Sequence, residues 1–286
     1  MTVRIAGIFT PMVTPFRPDG ELDLDAAADL IRHLAANGSD GVVLTGTTGE
    51  GSTVTDDEDV ALWQVGVEVA RESGSMVIAG TGTNDTRHSI ELTERAAGCG
   101  VDGVLVVTPY YNRPNRAGLN AHYEAVARAT DLPIVVYNIP HRTGTDMPND
   151  FLAELAQIPN IVAVKQSRYD DVAPIDGMDL LAGNDDAFAE TLDVGGVGGI
   201  LVAAHLVGPQ LRRILDEPGE RHAIQKRLLP LYDALSVAPL AASTKAAMRL
   251  LGHELGGPRL PLVEPDQSEI ATIRSGLEAA GLLERV

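Results

Sequence analysis

Eight short apolar runs, separated by amphipathic stretches, set the tightest limit on what this chain can fold into. They are Ile5 to Phe9, Gly41 to Leu44, Met76 to Ala79, Val104 to Val107, Ile134 to Tyr137, Ile161 to Val164, Leu180 to Ala182 and Gly199 to Val202. None alternates cleanly between apolar and polar residues, which marks strands covered on both faces, as in parallel sheets. Between them the spacing is helical. Ala27, Leu30, Ile31 and Leu34 recur at i, i+3, i+4 and i+7, and Leu119, Tyr123, Val126 and Ala127 come close. Thr55-Asp56-Asp57-Glu58 reads as a capping box that opens a helix carrying Leu62, Val65 and Val69.

An internal echo supports the alternation. Gly38-Ser39-Asp40-Gly41-Val42-Val43-Leu44 resembles Gly100-Val101-Asp102-Gly103-Val104-Leu105-Val106, 62 residues on. That offset is two βα units of about 31 residues each. Eight such units in unbroken series predict an α/β chain folded as a (β/α)8 TIM barrel, which needs ~250 residues. A doubly wound sheet is the rival, but no glycine-rich dinucleotide loop is present to mark its switch point. The series closes near Leu206. The remainder of the chain reads as helices, with Pro258, Pro261 and Pro265 breaking the segment before the last. The expected organisation is a barrel over residues 1–220 and a C-terminal helical region over 221–286.

Composition removes several functions. A formal net charge of −18 repels phosphate backbones and anionic lipid heads, so nucleic acid and membrane surfaces are not expected partners. Cys99 is the only cysteine, which excludes an intramolecular disulfide and a cysteine-built zinc site and suits a reducing cytoplasm. Met1-Thr2-Val3-Arg4-Ile5 has no apolar export segment. The uncharged run from Val194 to Leu211 contains glycines, His205 and Pro209, and reads as a buried strand with flanking turns instead of a membrane span. The histidines lack ligand spacing, no serine sits in a nucleophile elbow, and neither metal nor cofactor is expected.

In a barrel, chemistry collects where strands end at their C-terminal side. After the second run comes Gly46-Thr47-Thr48-Gly49-Glu50; after the fourth, Thr108-Pro109-Tyr110-Tyr111-Asn112; at the fifth, Tyr137-Asn138-Ile139-Pro140-His141-Arg142; at the sixth, Lys165. A lysine desolvated at a strand end can attack carbonyls as a free amine, although a lysine at a rim can also simply reach solvent. The Gly46 to Glu50 turn can bind a carboxylate through threonine hydroxyls and backbone N–H groups, or can be a tight strand-to-helix turn. Tyrosine hydroxyls at strand ends can pass protons, and Arg142, read as a loop residue, can grip a carboxylate. Metal-independent carbonyl chemistry is what remains.

Together, these segments and Thr143-Gly144 resemble, in order and spacing, the pyruvate-dependent lyase and synthase family that includes dihydrodipicolinate synthases and N-acetylneuraminate lyases. The likeness runs from about Gly7 to Leu262. The synthase branch is the nearer, because the lyases usually have Ser-Thr in place of Thr47-Thr48 and lack an arginine at Arg142. The resemblance implies a barrel assembled as a tetramer of tight dimers, and a class I condensation of pyruvate with L-aspartate 4-semialdehyde. The alternative within the family is cleavage of a 2-keto-3-deoxy sugar acid or a sialic acid.

It also implies roles. Lys165 would form the imine with pyruvate, Tyr137 would shuttle protons, and Thr47 would link Tyr137 to a Tyr111 supplied across the dimer. Thr48 would hold the pyruvate carboxylate, assisted by the backbone around Ile200, with Gly183 also assigned to substrate binding. Arg142 would bind the aldehyde's carboxylate. Asp56, Asp59 and His88 stand where lysine-sensitive members offer histidine and glutamate, which implies weak or absent lysine feedback although Asn84 and Tyr110 are kept. The chain departs from the family pattern at Gln166-Ser167-Arg168-Tyr169, and at Ala238 to Thr244 ahead of a late lysine, Lys245.

Overall fold

The structure, a computed structural model, describes residues 4–284. Met1 to Val3, the start of the segment read for an export signal, and Arg285 and Val286, the end of the expected helical region, lie outside the described residues. The chain begins β1 (Gly7–Pro11), α1 (Leu24–Ala36), β2 (Gly41–Leu44), α2 (Asp56–Ser73), β3 (Met76–Gly80) and α3 (Thr86–Cys99). It continues β4 (Gly103–Val107), α4 (Arg116–Arg128), β5 (Ile134–Asn138), α5 (Pro140–Thr143), α6 (Asn149–Leu155) and β6 (Ile161–Gln166). After β7 (Asp179–Ala182) come a short 3-10 turn at Asp185–Ala187, α7 (Phe188–Asp193), β8 (Gly198–Ile200) and α8 (Ala204–Asp216). Three helices end the chain: α9 (Arg221–Leu235), α10 (Leu240–Leu250) and α11 (Gln267–Ala279). The strands pair in parallel, in sequence order, and β8 closes on β1.

Two hydrophobic layers explain why the runs do not alternate. Alternate strand residues, among them Phe9, Val43, Ile78, Leu105, Val135, Ala163, Leu181 and Ile200, fill the barrel interior. Their neighbours, such as Val42, Leu44, Val77, Val104, Val136 and Val164, pack against the surrounding helices. Both faces of each strand are therefore apolar, and period 2 survives only as the choice of which core a side chain enters.

The internal echo has a structural cause. Gly38 and Gly100 turn the chain out of α1 and α3 with positive φ of 95° and 80°. The aspartate two residues later then caps the preceding strand. Asp40 Oδ2 accepts from Ile8 N–H at 2.7 Å, and Asp102 Oδ2 accepts from Val77 N–H at 2.8 Å. The Thr55–Glu58 capping box also forms.

The run from Val194 to Leu211 differs from the expected strand with turns. Only Gly198–Ile200 is strand, and the second half opens α8. Pro209 is accommodated because the helix breaks at Val207 (φ −127°, ψ 34°), which places the proline in the first turn of the next helical segment, where its missing N–H costs nothing. No helix among the described residues is long and apolar enough to cross a membrane.

Candidate active site

The pairing of β5 with β6 builds the site's centre. Their register sets Val136 opposite Val164 and Tyr137 opposite Lys165. Val136 and Val164 face the outer core, so the next residues on both strands face inward. Lys165 Nζ therefore sits over the Tyr137 ring, 4.1 Å from its centroid. Both are buried, with Lys165 5% and Tyr137 6% exposed. One residue on, Asn138 and Gln166 face out. Asn138 Nδ2 donates to Gln166 Oε1 (3.1 Å) and to Met147 O (3.0 Å), which fixes the chain leaving β5.

A cavity of about 450 Å³ opens at the C-terminal ends of the first strands and is lined by Thr47, Tyr137, Arg142 and Tyr110. Arg142 is not in a loop, as expected, but on the single helical turn α5, which Pro140 starts and Gly144 ends at φ 70°. The proline's fixed φ suits the first helical position, so the turn forms directly at the strand exit and presents the guanidinium to the cavity.

Thr48 is buried, and Ile200 is fully buried on β8 among the inward residues. Gly183 follows β7, its N–H donating to Gln166 O at 2.8 Å. A Cβ there would lie 2.2 Å from Ser167 Oγ, so only glycine fits. Tyr111 is set apart: with φ 72° it is 89% exposed, so within one chain its hydroxyl is left to solvent. The side chain that reaches the cavity from this segment is Tyr110.

Beyond Lys165 the altered segment folds on its own charges, with Arg168 facing Asp146, Asp170 and Asp171 at 3.5, 3.7 and 3.9 Å. Sequence reasoning missed Asp185, just past β7. Its Oδ1 accepts from Ala203 N–H at 3.0 Å, and burial pushes its carboxyl up to about 6, with the Lys165 charge among the opposing influences. The signal available was its place: the first ionisable residue after a strand end.

The same cavity extends to Asp56, Asp59, Asn84 and His88. His88 Nε2 and Asp56 Oδ1 are 3.0 Å apart. Asp59 is 4% exposed, and its Oδ1 has no hydrogen-bond partner among the described residues. Burial pushes its carboxyl up to about 7; Asp56 and Glu58 add to this, while Thr45 and His88 oppose it. The folded value exceeds the unfolded one of about 4, so the folded protein keeps a proton through a window in which the unfolded chain has lost it. Stability contributed by Asp59 therefore falls as pH rises from about 4 to 7. The variant Asp59→Asn, neutral throughout, is expected to gain little at pH 4 but on the order of 3 kcal/mol at pH 8, a Tm rise of roughly 5–10 °C. Thermal melts at the two pH values check this, and an equal offset at both would contradict it.

Comparison with known proteins places this geometry in a group. Residues 4–280 match the Dihydrodipicolinate synthetase family. The 4-hydroxy-tetrahydrodipicolinate synthase of Thermosynechococcus vestitus is 41% identical, covering 96% of this chain and 97% of the relative. That of Moorella thermoacetica is 42% identical, covering 96% and 98%. Among solved structures, DHDPS from Cyanidioschyzon merolae with lysine bound superposes with a TM-score of 0.94 at 39% identity, covering 97% of this chain and 99% of that one. A monomeric dihydrodipicolinate synthase variant superposes at 0.93 and 35% identity, covering 97% of each chain.

Proposed function

This chain belongs to the dihydrodipicolinate synthetase family, and from that premise we propose that it condenses pyruvate with L-aspartate 4-semialdehyde to 4-hydroxy-tetrahydrodipicolinate through a lysine imine. The observation that carries the reading is Lys165 Nζ held inward over the Tyr137 ring, at a barrel end where Thr47 and Arg142 line the adjoining cavity.

Lys165 Nζ attacks the keto carbon of pyruvate, water leaves, and an imine forms. Loss of a methyl proton gives the enamine, whose carbon attacks the aldehyde. The amino group of the aldehyde substrate then closes on the imine carbon and displaces Lys165. Tyr137, packed against Nζ, is the proton carrier for these steps, with Thr47 and a partner's tyrosine at position 111 completing the relay. Thr48 and the backbone near Ile200 hold the pyruvate carboxylate, Arg142 the aldehyde's, and Gly183 is assigned to substrate binding, its lack of a side chain leaving room for Ser167 and the Gln166 backbone.

The exposure of Tyr111 supports assembly as tight dimers, and the pairing of those dimers into a homotetramer is proposed from the family resemblance alone. The division into a barrel over 1–220 and a helical region over 221–286 is supported by the break between α8 and α9, and a single cysteine fits a cytoplasmic enzyme.

The test is the initial rate with both substrates, coupled to dihydrodipicolinate reductase and read as loss of NADPH absorbance. Turnover is expected, and unchanged in millimolar lysine. Failure to turn over, in protein that borohydride still traps with pyruvate on Lys165, would keep the imine and replace the aldehyde, pointing to sugar-acid cleavage. Strong inhibition by lysine would overturn the feedback reading.

A further inference from the structure

The Thr47-Thr48 turn is bracketed by two non-glycine residues in the left-handed region, Thr45 at φ 53° and Glu50 at φ 56°. Such residues persist only where their surroundings hold them. At the entrance the hold is local: Trp63 Nε1 donates to Thr45 Oγ1 at 3.0 Å. Within the turn, Glu50 N–H donates to Thr47 O (3.2 Å), Gly51 N–H to Gly46 O (3.1 Å), and Thr14 Oγ1 to Gly49 O (2.6 Å).

At the exit the hold comes from the far end of the chain. Lys245 Nζ, on α10, donates to Glu50 Oε1 at 2.6 Å and to Gly257 O at 3.0 Å. Its ammonium lies over the Phe16 ring, 4.3 Å from the centroid. Glu50 Oε2 accepts from Arg259 N–H at 2.8 Å. Arg259 in turn donates to Gly20 O and Thr53 O, both at 2.9 Å, and pairs with Glu58. Both members of the central pair are 1% exposed at their side chains.

We propose that Lys245 and Glu50 are positioning residues: their buried ion pair sets the conformation of the Thr47-Thr48 turn and so the affinity for the pyruvate carboxylate. The C-terminal helices are then part of the binding site without touching substrate. The inference rests on the imine reading above. A buried pair of this kind is a poor source of net stability but a specific one of geometry, because breaking it leaves a charge unmatched in the interior. A small displacement of the turn is felt at the substrate.

The experiment is borohydride trapping on Lys165, followed by mass spectrometry as a function of pyruvate concentration. In Glu50→Gln, which keeps shape and loses charge, the half-saturating pyruvate is expected to rise about tenfold or more, with kcat at saturation changed less than threefold. Lys245→Met, which keeps the length and loses the cation, is the second variant should the glutamine fail to fold, and the same shift is expected. Leu277→Ala, within α11 and away from the turn, is a destabilised control expected to keep the wild-type value. A folded Glu50→Gln or Lys245→Met with wild-type half-saturation overturns the proposal, as does an equal rise in the control. Wild-type protein that cannot be trapped at all would instead defeat the imine reading.

Discussion

Lys165→Ala is expected to abolish turnover and to remove all pyruvate-dependent borohydride trapping, while the protein folds and melts as a cooperative unit. The chemical loss is total because no other amine among the described residues stands over Tyr137 to form the imine. The structural cost is modest because Lys165 has no ion pair among the described residues, in contrast to Lys245 with Glu50 at 2.6 Å, and the carboxyl its charge reaches, Asp185, keeps its hydrogen bond from Ala203 N–H. Intact-protein mass after borohydride, beside a thermal melt, reads both halves. Residual turnover above about one part in a thousand would assign the nucleophile elsewhere.

Tyr137→Phe separates proton transfer from packing. The ring beneath Lys165 Nζ remains, so stability and the pocket's shape are kept, and only the hydroxyl is lost. A positioned acid–base group contributes about 10²- to 10⁴-fold, and a fall in kcat within that range is expected, with pyruvate still trapped at a slower rate. Stopped assays of trapping against time, set beside steady-state kcat, distinguish the two steps. A kcat within threefold of wild type would remove Tyr137 from the relay.

Most of the fold was legible because strand burial writes itself into composition. A run such as Gly41 to Leu44 is apolar throughout, since one face fills the barrel and the other meets helices, and its bounds agree with β2. The pair on which the proposed chemistry rests was legible as a candidate for the same reason: a lysine and a tyrosine ending two apolar runs are polar groups at the one end of a barrel where chemistry is found. Where the reading slipped, the cause was local geometry that composition does not carry. Arg142 reads as a loop residue because four residues are too few to show a helical period, yet Pro140 starts a helical turn there. The second half of the run from Val194 to Leu211 gave no sign of α8, because a helix buried around most of its circumference is as apolar as a strand.

What the sequence determined by itself was the number and order of the strands, the barrel they make, and the identity of the side chains at its C-terminal rim, all of which derive from short-range periodicity. What only the tertiary structure decided was which distant groups meet. That includes Lys165 over Tyr137 through strand register, Asp185 within reach of the lysine's charge, the buried Asp59 in the wall of the cavity, and Lys245 paired with Glu50 across 195 residues of chain. Such pairings depend on how the barrel closes and how the last helices fold back on it. No periodicity records them, because the free energy that selects them arises only when the two ends of the chain share one desolvated interior.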